Sequence, residues 1–134
     1  MLWKGAGTRE DVVMRLADTY LLCAEAYLGA NNEVKALEKV NAIRSRAART
    51  PADAVAMRLT KLTLDVLMDE RARELLGEHD RWFDLKRCGL LIPRAKAYNP
   101  YVQKYNNLNE DHLVRPIPQD EIDRLSGLTQ NKGY

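Results

Sequence analysis

Apolar side chains recur every three or four residues through the first third of this chain, and no other feature constrains its fold as strongly. Such spacing places them on one face of a helix. Two stretches show it, residues 8–28 and 33–49, with Thr8 and Asp11 resembling a capping box at the first start. The predicted apolar faces are Val13, Leu16, Ala17, Tyr20, Ala24, Tyr27 and Leu28, then Val34, Leu37, Val40, Ile43 and Ala47. The sequence predicts an antiparallel αα-hairpin.

The rest of the chain predicts further short helices and then an irregular end. Pro51 favours the start of a short helix, and Thr63 precedes an amphipathic stretch over residues 64–76, with another over 79–87. From Gly89 onward, four prolines and many Asn and Tyr residues predict irregular structure with one short helix over residues 119–125. We therefore predict an all-α fold in a single segment, residues 1–134, with helical hairpins over 8–88 and a loop-rich tail over 89–134.

Composition excludes several classes of function. The 134 residues include 21 Lys and Arg and 19 Asp and Glu, a net charge of +2 that is too balanced for a nucleic-acid-binding protein. No apolar run approaches the roughly 18 residues of a membrane span. Cys23 and Cys88 are far apart in sequence, as are His79 and His112, and neither pair has the spacing of a metal or redox motif. We expect no metal, no cofactor and no bound nucleic acid.

Five residues of the first hairpin have the spacing of a 34-residue helical repeat. They follow one another at intervals of 4, 3, 9 and 4 residues. The signature residues of tetratricopeptide repeats, Trp, Gly, Tyr, Ala and Phe, have the same intervals. These residues are Tyr20, Ala24, Tyr27, Ala36 and Val40. The two small alanines would let the helix backbones approach, with aromatic rings filling the gaps beside them. The hairpin is therefore predicted to be tetratricopeptide-like.

Residues 69–87 form the most highly charged stretch of the chain, and several of its charges share a stripe with apolar residues of the third long helix. An unpaired charge buried there would cost several kcal/mol, so we predict a structural ion-pair network. Its predicted members are Arg71, Glu74, Glu78, Arg81 and Arg44, with Arg46 as a further partner. The alternative is a catalytic pair of carboxylates among Glu70, Glu74 and Glu78, as in glycoside hydrolases.

The tail contains three tyrosines interleaved with asparagines: Tyr98, Tyr101 and Tyr105. Aromatic faces stack on the C–H surfaces of pyranose rings, and amide side chains bond the sugar hydroxyls. These tyrosines are therefore the candidate ligand-binding residues. The alternative is that the three rings anchor the tail to the core.

Four segments together resemble the SusD/RagB family of nutrient-binding outer-membrane lipoproteins of Bacteroidetes. They are RLADTYLLCAEAY at 15–27, ALEKVNAIRSRA at 36–47, the charged run ending in WFDLKR at 69–87, and PIPQDEI at 116–122 followed by QNKGY at 130–134. The segments occur in the family's order and span nearly the whole chain. Since family chains are several times longer and such motifs close them, the resemblance implies a C-terminal fragment.

The resemblance also implies a function. Family members capture glycans or other nutrients at the cell surface without catalysis, and they work with a TonB-dependent outer-membrane transporter of the SusC type. A lipid on an N-terminal cysteine holds them at the membrane. We therefore expect a non-catalytic, surface-exposed outer-membrane component, with the lipid anchor upstream and this segment mainly a scaffold. A tetratricopeptide-like protein-interaction adaptor is the alternative, followed by a carboxylate-based hydrolase.

Overall fold

The computed structural model describes residues 13–78 and 81–134, and every regular element in these ranges is helical, which confirms the all-α prediction. The α-helices are α1 (Leu16–Gly29), α2 (Glu33–Ala47), α3 (Pro51–Ala56), α4 (Leu64–Glu74), α5 (Arg81–Arg87), α6 (Leu91–Tyr98), α7 (Pro100–Tyr105) and α8 (Gln119–Arg124). A 3-10 helix covers Glu110–Leu113. The chain divides into two compact units, unit 1 over residues 1–81 and unit 2 over residues 82–134.

The first two helices, α1 and α2, form the predicted hairpin. A three-residue turn joins them, and in it Asn31 takes a left-handed φ of 57°. Asn32 then caps α2 by accepting the Lys35 N–H at 3.2 Å. Ala24 and Ala36 are completely buried, so small side chains lie where the spacing placed them. The tetratricopeptide-like character of the hairpin stays a prediction.

The core of unit 1 is built from α1, α2 and α4. Its buried apolar residues are Ala17, Leu21, Ala24, Ala36, Val40, Ile43, Leu62, Leu67, Met68 and Leu75. The prediction for the first helix was wrong at its start, because residues 13–15 are not helical, α1 begins at Leu16, and Leu16 is 69% exposed. The predicted apolar face also omitted Leu21, which is completely buried. The buried stripe on α1 runs through Ala17, Leu21 and Ala24, which lie four and three residues apart. The predicted cap at Thr8 and Asp11 lies outside the described residues.

The segment between α3 and α4 is held against α2 by a buried amide. Asn41 donates from Nδ2 to the Leu59 carbonyl at 2.9 Å and accepts the Leu59 N–H at Oδ1, at 2.8 Å. Glu33 accepts the Leu62 N–H at 2.7 Å. Side chains thus satisfy backbone groups that no helix pairs, and this placement leaves Leu62 buried in the core.

Unit 2 contains more helix than the sequence predicted. Only one short helix was expected after Gly89, over residues 119–125, and it is present as α8. However, α6 includes Pro93 near its start and α7 begins with Pro100. Proline is tolerated in a first turn because the first N–H groups of a helix have no partner within it. Asn99 caps α7 by accepting the Tyr101 N–H at 2.9 Å.

The last residues of unit 2 fold back on the segment before α8. Gln130 donates from Nε2 to the Ile117 carbonyl at 2.9 Å and accepts the Ile117 N–H at Oε1, at 2.8 Å. Asn131 donates from Nδ2 to the Arg115 carbonyl at 2.7 Å. The Tyr134 hydroxyl lies 3.1 Å from the Val114 carbonyl, to which it donates. Side-chain bonds therefore connect the two sequence segments 114–117 and 130–134.

Candidate functional site

The most buried ion pair of unit 1 joins α4 to α1. Arg71 Nη2 donates to Asp18 Oδ1 at 2.7 Å. The two side chains are only 2% and 8% exposed. The pair therefore lies away from water, where removal of one partner would leave the other charge buried without compensation.

A second group of ion pairs surrounds Arg15, the residue that precedes α1. Arg15 Nη1 donates to Glu74 Oε1 at 2.6 Å, and Arg15 Nε donates to Glu78 Oε1 at 2.8 Å. Arg46 of α2 donates to the same Glu74 oxygen at 2.5 Å. The hydrogen bond to Glu74 raises the pKa of Arg15, burial opposes this, and the bond to Glu78 adds to it. Because the pKa of a cation is raised, its stabilising effect is complete below the ordinary arginine pKa and is lost only above it.

Glu70 of α4 binds two further arginines. Its Oε2 accepts from Arg44 Nη1 at 2.5 Å and from Arg73 Nη2 at 2.7 Å. Arg44 also donates from Nε to the Met57 carbonyl at 2.5 Å. These contacts connect α4 to α2 and to the residue that follows α3.

The predicted network residues differ in their partners. Arg71 binds Asp18, Glu74 binds Arg15 and Arg46, and Arg44 binds Glu70. Arg81 Nη1 donates to the Met68 carbonyl at 2.6 Å. Sequence reasoning missed Arg15, Asp18 and Glu70 as members. A signal for Asp18 exists in the spacing, since it lies three residues before Leu21 and therefore on the same face of α1, which is buried.

The three glutamates of the hydrolase alternative are occupied by arginines. Glu70 and Glu74 each accept from two guanidinium groups, and Glu78 accepts from one. None of the three lines either the cavity of about 230 Å³ beside α1 and α2 or the cleft of about 580 Å³ in unit 2. A general acid and base must lie within reach of a bound substrate. The geometry therefore favours a structural role for these carboxylates.

An open cleft of about 580 Å³ lies within unit 2, in the size range of small-molecule sites. Part of its lining is apolar: Leu91, Ala95, Val102, Leu108, Val114 and Pro116. The remainder combines aromatic rings with polar groups: Trp82, Asn99, His112, Arg115 and Tyr134. A cleft of this composition presents both flat apolar surface and hydrogen-bonding groups to a ligand.

The indole of Trp82 is surrounded by charged and aromatic neighbours. The Phe83 ring meets it edge-on, with centroids 5.4 Å apart. Lys86 Nζ lies 5.0 Å from the Trp82 centroid, and the guanidinium carbon of Arg115 lies 4.9 Å from it. Both distances are within the range of cation–π attraction. Trp82 therefore holds two positive charges beside the cleft.

The three candidate tyrosines lie outside the lining of the cleft. Tyr98, Tyr101 and Tyr105 are 73%, 74% and 61% exposed. Tyr101 and Tyr105 are four residues apart on α7, which places them on one face. Arg94 lies over the Tyr98 ring, 5.6 Å from its centroid. Their exposure contradicts the alternative in which they anchor the tail to the core, and their role in ligand binding stays a prediction.

Other reactive groups build no metal site in the part of the chain that the structure describes. Within residues 13–78 and 81–134, no group of His, Cys, Asp and Glu side chains is arranged to hold a metal ion. Cys23 and Cys88 are half-buried. His112 Nδ1 lies 2.9 Å from Asn109 Oδ1 at the start of the 3-10 helix, and His79 lies outside the described residues. None of the described helices has the length and apolar character needed to cross a membrane.

An all-helical scaffold fixed by buried ion pairs, with an open aromatic cleft in its second unit, is the class of structure that these residues define. The profile of the SusD family matches residues 2–134, and the chain belongs to this family, which confirms the resemblance. No solved structure matches the chain.

Several curated relatives support this assignment. The chain is 32% identical to SusD-like protein P25 of Formosa agariphila over 129 residues, covering 92% of this chain and 24% of that protein. It is 30% identical to SusD-like protein P2 of the same organism, covering 92% and 26%. With a SusD-like protein of Bacteroides ovatus the identity is 28%, covering 77% and 18%. The chain thus spans about a quarter or less of the length of these relatives.

Proposed function

We propose that this chain is the helical scaffold of a non-catalytic nutrient-binding protein at the outer-membrane surface. Membership of the SusD family supports the nutrient-binding role. The scaffold role rests on one observation, the engagement of Glu70, Glu74 and Glu78 by arginines of unit 1. Carboxylates held in this way fix helices against one another, and these three line neither of the two cavities of the described residues.

The nutrient in this proposal is a glycan. Tyr101 and Tyr105 present two exposed rings on one face of α7, and Tyr98 lies just before that helix. Exposed rings suit stacking on sugar C–H surfaces, and Asn106 and Asn107 directly after α7 offer amides to hydroxyls. The tyrosines therefore remain our candidate contacts for a neutral sugar.

The partner in this proposal is a TonB-dependent outer-membrane transporter of the SusC type. In this proposal, the full-length protein is held at the membrane by a lipid and passes its ligand to the transporter. Family membership supports both features. Co-purification of the full-length protein with such a transporter from detergent-solubilised outer membranes would test the partnership directly.

Binding without turnover is the central test. Full-length protein containing this segment is titrated calorimetrically with starch, mucin-glycan and plant-polysaccharide fragments, and release of reducing ends is measured in parallel. We expect binding of at least one glycan with no release of reducing ends. The variant Glu74→Gln tests the hydrolase alternative. Glu38→Gln is its matched control, because Glu38 is an exposed glutamate of α2. Turnover that Glu74→Gln abolishes at unchanged stability would establish a hydrolase.

The adaptor alternative has one observation in its favour. A cavity of about 230 Å³ lies on the first hairpin, lined by residues that include Leu16, Tyr20 and Ile43. A bound peptide would place an apolar side chain there. Loss of a co-purifying protein in a Tyr20→Ala variant, with glycan binding unaffected, would support the adaptor function.

A further inference from the structure

Two of the helices that line the unit 2 cleft, α6 and α7, carry basic side chains and no acidic ones. Between Asp84 and Glu110 the chain contains no acidic residue and five basic ones: Lys86, Arg87, Arg94, Lys96 and Lys104. This stretch includes all of α6 and α7, which form two walls of the cleft. A surface with one sign of charge attracts ligands of the opposite sign.

Two of the cations near the cleft have no acidic partner among the described residues. Arg115 and Lys86 both lie against the Trp82 ring, at 4.9 Å and 5.0 Å from its centroid, and neither forms an ion pair in residues 13–78 and 81–134. Arg87, by contrast, pairs with Asp84 at 2.9 Å. Contact with an aromatic face positions a cation but does not neutralise its charge. Arg115 and Lys86 are therefore available to an anion.

The groups that line the cleft beside Arg115 suit a sugar ring. The Tyr134 phenol is held in place because its hydroxyl donates to the Val114 carbonyl at 3.1 Å. Asn99 and His112 contribute polar groups to the same lining. A guanidinium binds a carboxylate or a sulfate through two parallel hydrogen bonds, and an ammonium group adds a point charge. The cleft thus combines a ring-binding surface with a site for a negative group.

We propose that the unit 2 cleft binds acidic saccharides, whose carboxylate or sulfate group is held by Arg115 and Lys86 while Tyr134 and Asn99 contact the sugar ring. This inference rests on the proposed function, in which the ligand is a glycan. It adds the charge class of the ligand and a binding site that differs from the exposed tyrosines of α7.

The test compares acidic and neutral sugars of matched backbone. Full-length protein is titrated with oligogalacturonate and its methyl-esterified form, and with dextran sulfate and dextran. We expect an acidic probe to bind about tenfold more tightly than its neutral partner. The pair of probes that shows this difference identifies whether the cleft prefers a carboxylate or a sulfate. Raising the salt from about 50 to about 500 mM should reduce the difference because exposed charges are screened.

Substitutions test whether the preference for acidic probes arises at the unit 2 cleft. Arg115→Gln should remove most of the preference for acidic probes, and Arg115→Lys should retain part of it because the charge remains. Arg124→Gln is the matched control, since Arg124 lies on α8, is 70% exposed at its side chain and does not line the cleft. Lys86→Gln provides a second test if Arg115→Gln lowers the thermal unfolding midpoint.

The outcomes separate this inference from the proposed function. A preference for acidic probes that persists in both Arg115→Gln and Lys86→Gln would overturn the inference. Binding of neutral glycans with no binding, or no tighter binding, of acidic probes would overturn it as well and leave the proposed function standing. Failure to bind any glycan, neutral or acidic, would overturn both.

Discussion

The guanidinium of Arg71 on α4 donates to the carboxylate of Asp18 on α1 at 2.7 Å, and both side chains are almost completely buried. The two residues are 53 positions apart in sequence. A buried ion pair need not stabilise a fold more than apolar residues of the same shape, yet neither partner can be removed alone without a large cost. The pair therefore favours one register of α1 against α4, because other registers would bury a charge without its partner.

Asp18→Ala is expected to be the most destabilising change in the ion network. It leaves the buried Arg71 charge without this carboxylate, which should lower the free energy of unfolding by about 3–5 kcal/mol. Urea denaturation followed by far-ultraviolet circular dichroism measures the change. Glu121→Ala is the control, because its pair with Arg124 is exposed and should contribute less than about 1 kcal/mol. Equal losses in the two variants would contradict the burial of the Asp18 pair.

Glu74→Ala should have an intermediate effect. Its partners Arg15 and Arg46 have side chains that are 28% and 62% exposed, so both can regain water when the carboxylate is removed. We expect a loss of about 1–3 kcal/mol, between the values for exposed and buried pairs. The same urea experiment gives the measurement, with exposed Glu38→Ala as the control. A loss as large as that of Asp18→Ala would show that Arg15 and Arg46 cannot be rehydrated.

Ala24→Leu tests the close contact within the first hairpin. Ala24 has no exposed surface, so added methylene groups have no free space and should lower the free energy of unfolding by about 1–3 kcal/mol. Ala26→Leu places the same side chain at an exposed position of α1 and should change stability by less than about 0.5 kcal/mol. Thermal and urea midpoints that are unchanged in Ala24→Leu would contradict the packing of α1 on α2.

Local rules predicted the elements of unit 1 well, because each of its helices depends on neighbouring residues. The hairpin follows from the three-to-four residue period, and the caps at Thr50 and Thr63 follow from side chains that accept N–H groups three residues later. In unit 2 the same rules failed to predict α6 and α7. Pro93 and Pro100 were interpreted as breaks, although a proline near a helix start is compatible with the helix.

Sequence reasoning missed the long-range partners Arg15 and Asp18, although it named Arg44 and Arg46 as members of the network. A charge on an apolar stripe of α4 predicts that some partner exists, but the choice of Asp18 for Arg71 depends on the placement of α1, 53 residues away. The unit 2 cleft also depends on contacts between residues that are distant in sequence, since only the fold brings Trp82, Asn99 and Tyr134 together. Neither periodicity nor spacing encodes such a juxtaposition.

Gln130→Ala should loosen the end of unit 2. The Gln130 amide satisfies both the N–H and the carbonyl of Ile117, and its loss should cost about 1–2 kcal/mol locally. Hydrogen exchange of the Ile117 amide, measured by NMR, should accelerate. In the control Gln119→Ala, an exposed amide that bonds Asp123 at 2.8 Å is removed, and Ile117 exchange should stay unchanged. Slow exchange at Ile117 in Gln130→Ala would show that other contacts hold this segment.

Tyr101→Ala and Tyr105→Ala separate ligand binding from folding. Both rings are exposed, at 74% and 61%, so each substitution should change the free energy of unfolding by less than about 0.5 kcal/mol, as surface substitutions do. If the rings stack on a sugar, each loss should weaken glycan binding by the full-length protein about threefold to tenfold. Leu125→Ala, which removes an apolar side chain that is 55% exposed in unit 2, is the control and should leave the affinity unchanged. Calorimetric titration of the three variants with the glycan that binds the unmodified protein measures these affinities. Unchanged affinity in both tyrosine variants would exclude the α7 face as a binding surface and leave the unit 2 cleft as the candidate site.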